Sequence, residues 1–283
     1  MNPALVAARA GLSRGRIEFK QTLTTPSDLI GILFMTGGFL AAMIWTRHTH
    51  VPGTHFSLGT TMLFSVLGLN IAAYGVVTMG DLLVVEREDG TLLRAKAIPN
   101  GMLGYLLGKV VNISGQIAFA VAITLLAGAL EFTGLAIGSP GRWLTLAWVL
   151  VLGLLAALPL GAVLGSLFPS QRSAGPVWIL LLGGVAAISG IFYPITHLPT
   201  VLQWTGQAFP MYWLGLGMRS ALLPNAMATV EVGHSWRHLA TSGVLSAWAV
   251  AGLVLAPVVL RRMARRESGS NVAARREKAM RRT

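Results

Sequence analysis

The sequence predicts an all-α polytopic membrane protein. It has six transmembrane helices, an amphipathic interfacial helix at the N-terminus, and short re-entrant helices between spans five and six. Three observations carry this prediction. First, 54% of the 283 residues are hydrophobic and only 11% are charged, whereas soluble domains carry about a quarter charged residues. Second, six long stretches hold no Asp, Glu, Lys or Arg: 29–46, 57–80, 110–130, 143–171, 173–218 and 239–260. A helix needs about 20 apolar residues to cross the hydrocarbon core. Third, nine of the 22 Lys and Arg residues lie at or after Arg261, and the others cluster between the apolar blocks. A net charge of +12 distributed in this way is a topology signal rather than a nucleic-acid footprint. The absence of cysteine excludes disulfide scaffolds and thiolate–zinc sites, and the apolar content excludes disorder.

Within residues 1–28, Leu5, Leu12, Phe19 and Leu23 share one helical face, and Arg9, Arg14 and Lys20 lie elsewhere on the wheel. This pattern predicts a helix lying along the cytoplasmic surface, with no cleavable apolar core as in a signal peptide. Spans follow at 29–46, 57–80, 110–130, 143–167 (containing Pro159), 176–193 and 239–260. Residues 194–223 are broken by Pro194, Pro199 and Pro210 and carry Trp204, Tyr212 and Trp213. Irregular backbone survives at membrane depth only inside protein or beside water, so this segment reads as re-entrant helices with aromatic anchors. Six spans put 18 of the 22 basic residues on one side, leaving Arg47, Arg142, Arg219 and Arg237 on the other. A seventh span would strand the nine tail charges outside, so both termini are expected in the cytoplasm. The organisation is one transmembrane domain, 1–260, and a basic tail, 261–283, suited to anionic lipid.

Motifs for catalysis fail one after another. The nearest P-loop ends at Gly108-Lys109, but Leu103 occupies its first glycine position and Val110 its hydroxyl position. His234 and His238 have zincin spacing, yet Ser235 stands where the base should be. His48, His50 and His55 lie in an outer loop and form no recognised ligand set. There is no G-x-S-x-G elbow, and Asp28, Asp81 and Glu131 sit at span edges rather than paired within spans. No catalytic residue, metal ligand or cofactor of the chain's own is expected. Polar groups inside the spans are Asn70, Tyr74 and Thr78 on span two, with Asn112 and Gln116 on span three. They suit either a substrate path (Asn70, Tyr74, Gln116) or interhelical hydrogen bonds. Gly161 and Gly165 on span four form a G-x-x-x-G, which predicts close helix packing.

Two segments remain. Residues 85–99 read Val-Glu-Arg-Glu-Asp-Gly-Thr-Leu-Leu-Arg-Ala-Lys-Ala-Ile-Pro, an acidic cluster, a turn at Asp89-Gly90 and a short helical run closed by Pro99. The second runs Gly190-Ile191-Phe192-Tyr193-Pro194, His197-Leu198-Pro199, Phe209-Pro210 and on to Arg219. The first resembles the coupling-helix motif of type-2 ABC exporter permeases, an E-x-E/D-G-T-L core followed by proline. The second is similar to that family's signature between spans five and six, carried here by Gly190, Pro194, Leu198, Pro199, Pro210 and Arg219. Together with length and span count, they make the chain resemble the daunorubicin-resistance-like drug and antibiotic exporter permeases.

The resemblance implies a multi-pass subunit of the bacterial cytoplasmic membrane that pairs with a second permease copy or paralogue. It implies docking of a separate cytosolic ATPase, which holds ATP and Mg, through Glu86, Arg87, Glu88, Asp89, Gly90, Thr91, Leu92, Leu93, Arg94 and Pro99. In that scheme Glu86, Glu88 and Asp89 pair with basic groups of the ATPase, and Leu92 and Leu93 fill an apolar groove in it. A hydrophobic drug would then be moved outward. Polysaccharide or lipid-linked glycan export is an alternative, and a membrane-embedded enzyme or a structural subunit are readings from other classes. The Ala95-Lys96-Ala97 run departs from the leucine-rich stretch common in the family.

Overall fold

A computed structural model describes residues 2–50, 57–131 and 138–266, which are helical with no strand among them. His55 and the basic tail beyond Arg266 lie outside the described residues.

Local signals start the helices. Asn2 accepts a hydrogen bond from the Ala4 amide and Pro3 occupies the first turn of α1 (Pro3–Thr24), both favourable at a helix start. Pro26 breaks the chain and opens α2 (Pro26–Trp45). Ser57 caps α3 (Leu58–Ala73) through the Thr60 amide at 3.1 Å. A single π turn, Tyr74–Thr78, joins α3 to α4 (Met79–Glu88). After α5 (Thr91–Lys96) come α6 (Gly101–Glu131), α7 (Pro140–Leu167) and α8 (Gln171–Ile188). Two short helices follow, α9 (Thr200–Ala208) and α10 (Pro210–Leu222), and α11 (His238–Arg266) closes the fold.

Among the described residues six helices are long and apolar enough to cross a membrane: Pro26–His48, Leu58–Glu88, Gly101–Leu130, Pro140–Leu167, Gln171–Ile188 and His238–Met263. Spans two and three are longer than the charge-free stretches predict. Their extra turns carry Glu86, Arg87 and Lys109, which find partners inside the chain, so the helices continue past the apolar limit. Span five is shifted instead. It starts at Gln171 because Ser170 and Ser173 form a capping box. It ends at Ile188, ahead of Gly190, whose φ of +62° suits glycine.

Span two is the centre of the fold, with 83% of its apolar window buried, against 18% for span one and 17% for span five. Helix α10 wedges beside it. Every residue from Met211 to Leu222 is buried, and α10 packs on α3, α7 and α11. On the other side Gly161 and Gly165 bring α7 against the π turn and α4. A Cβ at Gly161 would lie 2.5 Å from the Val76 carbonyl oxygen, and one at Gly165 would lie 2.5 Å from the Gly80 Cα. This is the close packing that small-residue pairs allow.

The N-terminal helix packs on the protein through a face beside its leucine face. Gly11 and Gly15 are the buried residues of α1, and they pack on Gly104 and Gly108 of α6. Phe19 reaches Gly115 further along α6, so the two helices run side by side in the same direction. Leu5 and Leu12 face outward. Backbone contact between glycines brings the helices closer than a leucine face would allow, and hydrophobic periodicity does not register it.

Candidate functional site

The turn between spans two and three is built from a helix end, a left-handed residue and a short helix. Helix α4 stops at Glu88. Gly90 then takes φ +82°, a conformation that costs an L-residue about 1–2 kcal/mol. The Asp89 carboxylate accepts a hydrogen bond from the Thr91 amide at 2.7 Å, which starts α5. Arg94 donates to the Thr91 hydroxyl at 2.8 Å. Helix α5 ends at Lys96. Ile98 and Pro99 stand exposed in the following turn, and Asn100, at φ +54°, leads into α6.

Beneath this corner, Lys109 of α6 joins three elements. Its ammonium lies 2.6 Å from Glu86 at the end of α4 and 2.8 Å from Glu18 of α1, and its side chain is only 4% exposed. Arg14 adds a second bond to Glu18 at 2.7 Å. Burial pushes the Glu18 carboxyl up, but the hydrogen bonds and charges of Lys109 and Arg14 outweigh it and hold the group below its ordinary value. Arg87 donates to the Phe168 carbonyl just past α7, and Asp81 accepts from the Trp178 indole of α8 at 2.8 Å. The corner is thus tied to spans three, four and five and to α1.

Three expectations about the corner change. Glu86, assigned to a partner's basic groups, is committed to Lys109. Arg87 is buried. Leu92, assigned to a partner's groove, is 1% exposed and belongs to the chain's own core. Residues turned outward are Asp89, Arg94, Ile98 and Pro99, with Glu88, Thr91 and Leu93 half-buried.

At the other end of the spans, Arg219 lies in the last turn of α10 and is 2% exposed. It makes a two-point ion pair with Glu231 at 2.6 and 3.1 Å. It also donates to the Ser65 hydroxyl of α3 at 2.8 Å and to the Gly190 carbonyl at 3.4 Å. The first and last residues of the 190–219 pattern therefore meet. Pro210 opens α10 and Pro199 precedes α9. Pro194 precedes the 3₁₀ turn Ile195–His197, and the Leu198 carbonyl accepts from Gln203 at 2.8 Å. Arg142 donates to the Leu223 carbonyl at 2.6 Å and Arg237 to the Gln207 side chain at 2.6 Å. Three of the four arginines assigned to this side are structural ties of the re-entrant unit.

The polar residues within the spans lie inside the protomer. Asn70 is fully buried and its amide atoms have no hydrogen-bond partner. Tyr74 is buried beside it on span two. Gln116 donates to Asn112 on its own helix at 3.1 Å, so that pair is intrahelical rather than interhelical. Among the described residues no group of three or more His, Asp or Glu side chains could hold a metal. His234 bonds the Thr229 carbonyl at 2.6 Å, and His238 sits edge-on to Trp148.

Glu18, Lys109, Ser65 and Glu231 are the site residues that sequence reasoning missed. The available signal was the cost of leaving a charge unpaired at a span edge. It flags Lys109 and Arg219 as needing acidic partners without saying which.

Six apolar helices long enough to span a membrane, a charged corner between spans two and three, and a buried pair of short helices before span six define a multi-pass membrane protein. The family described as ABC-2 family transporter protein matches residues 52–253, most of the chain and all of both segments. The chain belongs to this family, as the membrane component of an ABC transporter. A search of curated proteins gives no match.

Proposed function

We propose that this chain is the permease subunit of an ATP-driven exporter, which has no ATP site of its own and moves a hydrophobic, drug-like substrate outward. A separate cytosolic ATPase, holding ATP and Mg, docks on the corner at 86–99, and two permease copies or paralogues form the path. Both termini lie on the cytoplasmic side of a bacterial cytoplasmic membrane.

The observation that carries this reading is the corner itself. The six-residue helix α5 follows, through left-handed Gly90, from the end of span two, which is held by Lys109 to α1 and span three and by Arg87 to the end of span four. A push on α5 is delivered to several spans at once, as transmission from an ATPase requires. A wholly apolar cleft of about 200 Å³ between spans two, four, five and six, lined by Val76, Leu164, Leu182, Met211 and Trp248, favours a hydrophobic substrate over a glycan. The test is reconstitution in proteoliposomes with and without the ATPase, using a fluorescent apolar cation and a lipid-linked glycan as competing cargoes. ATP-dependent movement of the apolar cargo alone supports the proposal. Glycan movement instead, or turnover by the chain alone, overturns it.

A further inference from the structure

Span two is interrupted part-way along by the π turn Tyr74–Thr78, and the helix facing that turn is interrupted as well. Single π turns inside α-helices are frequent at functional sites. Gly75 lies against α7, where a Cβ on it would come within 2.5 Å of the Ala157 Cβ, and Gly161 lies on the Gly75 and Val76 carbonyls. Between Ala157 and Gly161 stands Pro159, inside α7. It deprives the Leu155 carbonyl of its helical bond, a usual cause of a kink. Gly252 of α11 packs on Pro159 in turn. The break between α9 and α10 at Phe209 falls in the same layer, since Phe209, Pro210 and Met211 line the apolar cleft together with Val76 and Leu160. We infer that this layer is a hinge. The inner ends of spans two and four swing about it as one piece against their outer ends, and the cleft is its open side.

Ties on either side of the layer define the two pieces. On the outer side Gly68 of α3 seats on the Leu214–Gly215 backbone of α10, and Arg219 fastens α10 to Ser65 of α3. On the inner side Gly80 of α4 touches Gly165 of α7, Arg87 bonds the Phe168 carbonyl, and Asp81 holds Trp178 of α8. The π turn lets both sets form at once. Wound as plain α-helix, the same residues would turn everything beyond them by about 100°. Contacts within the layer are made by Gly75, Ala157, Gly161 and Gly252, which have no bulk to interlock, and the cleft of about 200 Å³ beside them is free volume that a close-packed interior lacks. A bend of about 20° at Thr78 carries Glu88, ten residues or about 15 Å further on, through about 5 Å. The corner at 86–99 rides on that inner piece, so its displacement widens or narrows the cleft.

The hinge stands on packing alone, and only its effect on cargo rests on the exporter reading above. The chain has no cysteine, so pairs of cysteines can carry spin labels at exposed Leu144 and Leu239 on the outer side and at exposed Leu167 and Ile98 on the inner side. The full chain is placed in nanodiscs, diluted with unlabelled chain, and distances are read by double electron–electron resonance. The expected result is narrow distributions for Leu144–Leu239 and Leu167–Ile98, with Leu239–Ile98 about twice as wide. Deleting Val77, which lets plain helix join the two registers, should narrow the Leu239–Ile98 distribution to the width of the others. Pro159→Ala, a milder change, should narrow it as well. Equal widths for all three pairs in the parent chain, or a wide Leu239–Ile98 distribution that neither change narrows, overturns the hinge. In proteoliposomes with the ATPase, the Val77 deletion should lower ATP-dependent movement of the apolar cation at least tenfold. Parental movement despite a narrowed distribution overturns the hinge's part in transport. A wide Leu239–Ile98 distribution in a parent chain that moves no cargo with ATP overturns the exporter reading and leaves the hinge standing.

Discussion

Glu86 at the end of α4 and Lys109 on α6 lie 2.6 Å apart, and the same ammonium reaches Glu18 on α1. One cation therefore pairs with two carboxylates from elements far apart in sequence, with Arg14 supplying the second positive charge, directly beneath the corner assigned to the ATPase. Removing one partner of a buried ion pair leaves the other charge desolvated, at a cost of about 3–5 kcal/mol. Lys109→Met should therefore lower the melting temperature of the detergent-solubilised protein markedly, with Lys109→Arg retaining part of the loss. An unchanged melting temperature in Lys109→Met would contradict the assignment.

The Glu18 carboxyl is held below its ordinary value of 4.5, so near that pH the unfolded chain binds more protons than the folded one. Its contribution to stability is therefore present in full above the ordinary value and is lost as pH falls through the lower folded value. Stability measured against pH should fall on the acid side, and Glu18→Gln should remove that part of the slope. Equal acid slopes in the two proteins would show that Glu18 is not held by Lys109 and Arg14.

Arg219 and Glu231 allow a sharper experiment on the re-entrant unit, because both are buried and paired at two points. Arg219→Met alone should cost about 3–5 kcal/mol, while the double change Arg219→Met with Glu231→Leu should recover much of it. Chemical denaturation of the three proteins checks this. Additive losses would mean that the pair does not exist.

Gly161 of α7 packs on the backbone of span two, whereas Gly141, at the start of the same helix, has open space where a Cβ would go. Gly161→Val should destabilise by about 1–3 kcal/mol through overpacking. Gly141→Ala should be neutral or slightly stabilising, since alanine is the better helix former. Thermal shift measurements on both variants compare them directly.

Much of the fold was readable because charge and apolar length are local quantities. The stretches 29–46 and 239–260 need only counting to become spans one and six, and Asp89-Gly90 announces its own turn. What was not readable depends on contacts distant in sequence. The burial of Leu92 follows from which side of a six-residue helix meets the spans, and nothing in 91–96 states it. Helix α1 seats itself on α6 through Gly11 and Gly15, which contribute nothing to a hydrophobic face, so the packing was not legible beside the leucine pattern. Arg219 counted as an outer charge because its carboxylate, Glu231, lies twelve residues on in a loop with no periodicity. Lys109 was seen as a failed P-loop lysine when its chemistry was that of a buried bridge.

The corner also changes which variant reports on docking. Leu92→Asp buries an acid in the protein's own core and should damage the permease itself, whereas Ile98→Asp alters an exposed side chain and leaves the fold intact. The most direct test is therefore affinity purification of the tagged full-length chain and its Ile98→Asp variant from native membranes in mild detergent, with quantitative mass spectrometry of what accompanies each. A P-loop ATPase recovered at equal stoichiometry with the parent chain, and reduced at least tenfold with Ile98→Asp at equal permease yield, is the predicted result. Recovery of no ATPase with either chain across several detergents would contradict the assignment of 86–99 as a docking corner.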